Sequence, residues 1–523
     1  MTSEADILDY LGQLSREHQI RDDQGDPYRG GAHTPTWHDW EPETVSGDDA
    51  ILSGQSLLDA RVQDLFRNEP VIRSIRREIT KGVIGTGIQA FADVLLNLEE
   101  FDDDFNFEAD EEFERWAEDT IDGKTQADAD GRLSWWDIQA THFNQIQDVG
   151  ESFLLRCMKN TPGRSVPLCF QQLEKDQIDE TQDWPEDQNG IKCIRGIEYK
   201  KNEVIAYHVF DAHPADSHSG WTSRSTRIPA ARMTHSYLPN RVSEHRGVTW
   251  FSANVQNAKD LDWYLSNELT AAALGAALAL VVKSKGGAKP NLLGPGQTSP
   301  GTGSNGAPRV RLGRPFVANI GEDDDVKIAE SNRPNRDAGV FVNLLLQLHG
   351  MASGISKLRV TGDYAGTSYT AARGAHLDDQ SYFKILQGWA GRNFIKPVRQ
   401  QFNDQAAALG RFQSVSAQQY KNDRWRMSRV ALLAPGREQL DPEKETGAAK
   451  ERIGANLSTH QIECGLRGLH WRRVALQRRR EVNFYRKLKL DPDLGHSAAY
   501  LNARETRQQQ ERIDQGGNSA AGN

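Results

Sequence analysis

The strongest constraint on this chain is the stretch 286–315, where Gly or Pro stands at nearly every third position between two long helical patterns. Gly frees the backbone and Pro removes a donor, so neither a helix nor a strand ladder runs through it. Upstream, over 252–283, Val255, Leu261, Leu265, Leu269, Ala272, Ala276 and Leu280 recur largely at three- to four-residue steps. That periodicity predicts one helix of roughly 45 Å. Beyond Thr270 it is mostly alanine, which lets neighbouring backbones approach closely, as a bundle or a ring of identical helices needs. Downstream, Val340, Phe341, Leu344, Leu345, Leu348 and Met351 predict an amphipathic helix over 337–355.

The remainder reads as α+β, and 523 residues suggest two to four packed units. Residues 1–50 lack periodicity and form an irregular arm. Leu57, Leu58, Val62, Leu65 and Phe66 predict a helix; Asn68 as N-cap and Pro70 in the first turn open a second, through Val71, Ile72, Ile75 and Ile79, that stops at Gly82. From Ser134 to about His235, short apolar runs between turns predict a β-rich domain. A long helix follows over 368–408, which Pro397 should kink. Asp441-Pro442-Glu443 opens a helical tail whose last residues, 515–523, look disordered.

Composition narrows the function classes. Sixty-three Lys plus Arg against 73 Asp plus Glu give a net charge of -10, which disfavours gripping DNA over the whole surface. The charge is segregated: residues 99–122 hold 13 acids and one base, whereas 471–514 hold 11 bases and six acids, with Arg478, Arg479 and Arg480 adjacent. The plain reading of both is a solvated surface. The longest apolar stretch, 269–282, runs 14 residues, short of the roughly 20 a membrane span needs. The acidic N-terminus predicts no secretory signal and a cytosolic chain. The four cysteines include no CxxC pair, against a zinc ribbon or disulfide framework, and are expected to be buried apolar residues. His208, His213 and His218 are five apart and share no helix or strand face, so they predict no metal site. Gly82 to Ile88 mimics a phosphate loop but follows a helix. No HExxH, GxSxG or GxxxxGK[ST] occurs, so no cofactor is expected and a structural or binding role is favoured over an enzyme.

Five blocks in order resemble the lambda family of phage portal proteins. They begin with Ala60-Arg61 through Leu65-Phe66-Arg67-Asn68-Glu69-Pro70 and Val83-Ile84-Gly85-Thr86-Gly87-Ile88. Gly196-Ile197-Glu198-Tyr199 with Val204 to Val209 comes next, continued by Ile228-Pro229-Ala230, His235 and Pro239-Asn240-Arg241. Arg246-Gly247-Val248-Thr249-Trp250-Phe251 stands where the family carries Arg-Gly-Val-Pro-Trp, with Thr249 departing from it. Asp363-Tyr364 with Ser368 to Arg373, and Asp441 to Glu445, complete the set, which spans roughly 55–485.

The resemblance implies a portal-type multidomain subunit that assembles into a ring, usually of twelve, at one capsid vertex. A terminase motor would drive double-stranded DNA through it, and neck or adaptor proteins, scaffold and capsid would be further partners. The chain would be made in host cytoplasm and end in the virion. By analogy 1–50 is an arm, 51–251 the wing, 252–283 and 337–355 the stem helices, 284–336 the clip and 356–367 the tunnel loop. Residues 368–440 would be the tunnel helix and wing return, and 441–523 the crown with its tail.

Tight phosphate binding would hold DNA still, because each neutralised phosphate adds to affinity. A neutral or acidic lumen is therefore expected, with Lys357, Arg359 and Arg373 touching passing phosphates, and Arg478 to Arg480 in the crown meeting packaged DNA. Solvated loop charge is the plainer reading of the first three. Two competing classes are a metal-dependent nucleic-acid-processing enzyme using Asp102, Asp103, Asp104 and Glu108, and another particle component such as a capsid or neck protein.

Overall fold

The computed structural model describes residues 42–52, 54–97, 100–217, 224–277, 281–283, 325–327, 338–436 and 441–490. Most of the arm, His218, the tail beyond 490 and all of 284–336 except 325–327 lie outside them. Contacts divide the chain into two units. In the smaller, which includes Arg241–Glu244, helix α1 (Gly47–Leu52) starts with the Gly47 N–H donating to Ser243 Oγ at 2.8 Å.

The larger unit opens with α2 (Gln55–Asn68) and α3 (Pro70–Val83). The residue between them caps α3: Glu69 is extended and its carboxylate accepts from the Val71 N–H at 3.4 Å. The expected cap, Asn68, instead donates to Asp64 inside α2. Ile72, Ile75, Ile79 and Val83 form the buried stripe of α3. That helix outlasts Gly82, which lies under the Phe383 ring where a methyl would overlap it. Gly85 (φ +53°) and Gly87 (φ +113°) then turn the chain into β1 (Gln89–Ala92). A helix before and a strand after is the reverse of a phosphate loop's order.

After α4 (Asp103–Glu118) and a hairpin of β2 (Thr120–Ile121) and β3 (Lys124–Thr125) comes α5 (Trp135–Val149), a helix where a strand domain was expected to begin. The reason is local: Ser134 and Asp137 form a reciprocal capping box, and Ile138, His142, Phe143, Ile146 and Val149 bury one face. Strands follow as β4 (Glu151–Met158), β5 (Leu168–Leu173), β6 (Ile191–Ile194), β7 (Ile197–Lys200), β8 (Glu203–Phe210), β9 (Ser225–Pro229) and β10 (Met233–Tyr237). They build two antiparallel sheets, ordered β10-β4-β5 and β6-β7-β8-β9.

The Arg246 to Phe251 block closes this region onto α5. Gly150, left-handed at φ +90°, ends α5, and a methyl on it or on Gly247 would overlap the other's backbone. Beside this contact, fully buried Arg246 pairs with Glu151, and Lys175 donates to Asp59 at 2.6 Å and to the carbonyls of Val149 and Gly247. Burial raises the Glu151 pKa, but Arg246, His235 and Lys175 outweigh it and hold the carboxyl well below the usual range.

The first long helix is shorter than its periodicity suggests. A 3₁₀ turn (Ser252–Asn254) leads into α6 (Val255–Ala277), and Val281–Lys283 is strand β11, paired with β12 (Asp325–Lys327). Consecutive β-branched Val281 and Val282 favour that switch. The returning helix is α7 (Ala338–Ser353). Within 356–367, expected as a loop, Lys357–Thr361 is the short helix α8, capped by Ser356 and ended by left-handed Gly362. Then α9 (Tyr369–Ala390) passes through a π turn (Gly391–Ile395) into α10 (Lys396–Ala408). Pro397 cannot donate to the Asn393 carbonyl, and the helix answers with a register slip just before it. Short α11 (Ala417–Asn422) and α12 (Arg424–Met427) lead to β13 (Val430–Leu433), which pairs with β1. The chain continues through α13 (Pro442–Gly454), α14 (His460–Gly465) and α15 (Trp471–Lys487).

One large core joins Trp116, Trp135, Phe143, Phe170, Phe394 and Phe402, and a second lies around Phe153, Leu173, Ile197 and Tyr207.

Candidate nucleic-acid interface and assembly face

Arg359, the central residue of the expected DNA-touching trio, is only 10% exposed. Its Nε donates to Asp379 Oδ2 at 3.2 Å, its Nη1 lies 3.5 Å from Glu78 Oε2, and its Nη2 donates to His376 Nδ1 at 2.9 Å. The guanidinium sits 5.2 Å from the Phe383 ring centroid. Asp379 also accepts from the Ser356 N–H (2.6 Å) and hydroxyl (2.7 Å). One carboxylate on α9 and one on α3 therefore pin α8, and the Arg359 charge is engaged inside the fold. Lys357 is half-buried, whereas Arg373 is exposed on α9, with Asp441 and Lys444 within electrostatic reach. The three cations thus do not form one cluster of free charges. The partners Glu78 and Asp379 went unread in the sequence. One signal was present: Asp379 precedes Phe383 and Leu386 at helical steps on the buried side of α9, where an acid requires a cation.

The α6–α7 pair has an inner and an outer side. Inside, Leu261 and Leu345 are buried, Tyr264 meets Phe341 edge-on at 4.8 Å, and the Asn254 amide donates to the His349 carbonyl and Ser353 hydroxyl. Outside, Val340, Leu344, Leu348 and Met351 form an exposed stripe along α7, and Trp263 and Leu269 are about 70% exposed on α6. Spacing of four, four and three residues places the α7 set on one face. A row of exposed apolar side chains along one helix face is the kind of surface that interaction sites carry.

The segregated charges partly meet. Arg472, at the start of α15, lies 3.6 Å from the Phe101 ring centroid and 3.7 Å from both Asp93 and Asp103, and Arg473 pairs with Glu114. His470 stacks on Phe91 at 4.0 Å; burial, then Arg472 and Arg473, push its pKa down to about 4. Asp110 pairs with fully buried Arg399 at 2.9 Å. Asp110 is thus internal to the fold, while most of the described acids of 99–122, among them Asp103, Asp104, Glu111, Glu118, Asp119 and Asp122, are exposed, as the reading of a solvated surface expects. Farther along α15, Arg478, Arg479 and Arg480 are exposed, with Arg478 3.6 Å from Glu481.

Three of the four carboxylates of the enzyme reading have structural employment, and the fourth, Asp104, is exposed in the first turn of α4. Asp102 caps α4, Asp103 faces Arg472, and Glu108 accepts from the backbone of Gln413 and Ser414 and the Ser414 hydroxyl. His208 faces Glu198 at 2.9 Å, apart from His213. Glu174, Asp176 and His213 do gather within metal-ligand range. However, His213 Nδ1 accepts the Ala215 N–H, which leaves the proton of the neutral ring on Nε2, the atom facing both carboxylates at 3.4 and 3.6 Å. That tautomer makes His213 a donor to the acids instead of a ligand.

A family model described as "Phage portal protein, lambda family" matches residues 33–387. The "Probable portal protein" of Halomonas phage phiHAP-1 is 24% identical over 424 residues, covering 79% of this chain and 78% of that relative. "Portal protein B" of Escherichia phage lambda is 23% identical over 387 residues, covering 70% and 72%. Among solved structures, a chain in the "Neck of empty GTA particle computed with C6 symmetry" covers 83% of this chain and 97% of its own at 14% identity, with a TM-score of 0.37. That likeness is too distant to carry further argument.

Proposed function

The chain belongs to the lambda family of phage portal proteins and serves as a portal, and we propose that about twelve copies close into a ring at one capsid vertex. A terminase motor threads double-stranded DNA through this ring during packaging, the same channel releases it at ejection, and neck proteins dock on its outer end. The apolar stripe of Val340, Leu344, Leu348 and Met351 carries this reading. A lone chain leaves it in water, and a neighbouring copy covers it through a different patch, the head-to-tail contact that closes rings.

In this reading α6 and α7 are the stem, residues 284–336 the clip, the strands and helices before α6 the wing, and the chain from α13 onward the crown. Engagement of Arg359 by Asp379 and Glu78 suits a channel that must not hold phosphate. It leaves Lys357 and Arg373 for transient contacts, and Arg478 to Arg480 to meet packaged DNA inside the capsid. The ring hydrolyses nothing, since the motor supplies the energy. Native mass spectrometry with negative-stain imaging tests the proposal: a closed ring with an open centre wide enough for a duplex is expected, and a chain that stays monomeric with scaffold and capsid protein present overturns it.

A further inference from the structure

Cys157 on β4 and Cys169 on β5 stand directly opposite each other in an antiparallel pair, and both are free thiols. Directly opposed side chains leave a sheet on the same face. Here it is the face that carries Phe153 and Leu173, another opposed pair, into the second core. The hydrogen bonding fixes the spacing. Phe170 turns its N–H and carbonyl away from β4, donating to the Ala127 carbonyl and accepting from the Ala129 N–H, both at 2.8 Å. The neighbouring pair, Cys157 with Cys169, is therefore one whose amides and carbonyls face each other, as the Lys159 N–H and Pro167 carbonyl do two residues on. Such pairs hold their Cα atoms about 5.5 Å apart, inside the range of roughly 4.4–6.8 Å that a disulfide spans, with Cβ atoms at the wide end of about 4.5–5.5 Å, so closing the bond draws the two strands together by up to about 1 Å.

The two thiols differ in access. Cys169 is fully buried and Cys157 half-buried. Burial raises both thiol pKa values, opposed by nearby cations: Lys159 acts on both, Arg232 on Cys157 and Arg164 on Cys169. We propose that Cys157 and Cys169 are a modification site, closing into a reversible cross-strand disulfide when the chain meets a low-molecular-weight disulfide oxidant. The Cys157 thiolate attacks one sulfur of the oxidant, its S–S bond breaks and one small thiolate leaves. The Cys169 sulfur, giving up its proton, then attacks Cys157 Sγ in the mixed disulfide and expels the second small thiolate. Two electrons pass to the oxidant, and the two cysteine protons convert its halves to thiols. A particle that leaves a reducing cytoplasm for an oxidising medium crosses the conditions that switch such a pair. The bond would join β4 to β5 at the mouth of the 159–167 connection.

The test incubates the intact chain with oxidised glutathione, quenches with iodoacetamide and digests with trypsin without reductant. Lys159 and Arg164 lie between the two cysteines, so trypsin places them on separate peptides. The expected product is those two peptides joined and two hydrogens lighter than their sum. In Cys169→Ser, glutathione should remain on Cys157; in Cys157→Ser, Cys169 should stay unmodified. Recovery of both wild-type cysteines as alkylated thiols, or of Cys157 carrying glutathione beside a free Cys169, overturns the proposal, and this wild-type readout does not depend on how either variant folds.

Discussion

Arg246 and Glu151 form a salt bridge with neither side chain exposed to water, Nη2 to Oε1 at 2.6 Å. Removing one member of such a pair strands a charge in the interior, at a cost of about 3–5 kcal/mol. The same carboxylate accepts from the Gly247 N–H at 3.1 Å and faces His235 Nε2 at 2.9 Å, so its loss also frees the junction of α5 with the Arg246 to Phe251 block. Arg246→Met and Glu151→Leu are each expected to lower the urea midpoint strongly, and the double variant less than the sum of the two. A double variant that costs the full sum would show that the two residues act separately.

Arg359, Lys357 and Arg373 should separate by assay. Arg359→Ala leaves Asp379 without its cation, while Glu78 keeps Arg77 at 3.5 Å and Lys81 at 3.9 Å, a loss of about 1.5–3 kcal/mol for the charged hydrogen bond to Asp379. It should speed amide exchange across 356–367 and lower thermal stability. Lys357→Ala and Arg373→Ala should leave stability within about 0.5 kcal/mol of the parent and change only the rate or salt dependence of DNA packaging. Equal stability for all three variants would refute the engagement of Arg359 by α3 and α9.

These examples show what the sequence makes legible. Elements held by local signals were readable: the stripe of α3 and the Asp441-Pro442 start of α13; at Pro397, where a kink was expected, the helix runs on through a π turn. Neighbours supplied from far along the chain were not readable. Arg359 looks like a free loop cation until Glu78, 281 residues earlier, is placed beside it. Asp110 looks as solvated as the other acids of α4 until Arg399, 289 residues later, is placed beside it. At Ser134 the local signal was present, since a Ser followed three residues later by an acid forms a capping box, but the short apolar runs downstream outweighed it.

Acid should weaken the fold through its buried histidines. Burial, with His235 adding to it, pushes His142 down to about 3, and His470 is held at about 4. Their unfolded values lie near 6.5. Between those limits the unfolded chain takes up protons that the folded chain refuses at these two rings, so their contribution to stability falls as pH drops below about 6.5, by roughly 1.4 kcal/mol per pH unit for each group once well below it. Asp59 and Asp148, raised to about 6 and about 7 chiefly by burial, act in the opposite sense over much of the same range, so the histidine contribution is read from a variant against its parent. His470→Phe keeps a ring against Phe91 and removes one titrating group, so the variant should lose less stability than the parent between pH 6 and pH 4.5. Parallel pH profiles from chemical denaturation would sink this account.

The stripe on α7 offers the sharpest separation of folding from assembly. Leu344 is 51% exposed and Met351 70% exposed in the single chain, so a charge there disturbs little of the subunit's own packing, within about 0.5 kcal/mol for a surface site. At an interface between copies the same charge must be desolvated without a partner, which costs several kcal/mol at every repeat of the contact. Leu344→Asp is therefore expected to keep the circular dichroism and unfolding midpoint of the parent subunit while native mass spectrometry shows monomers and short oligomers in place of rings. Lys384→Asp on α9, also an exposed helix position, supplies the control for added negative charge and should assemble as the parent does. Intact rings from Leu344→Asp would move the neighbour's contact away from α7 and leave the stripe to some other partner.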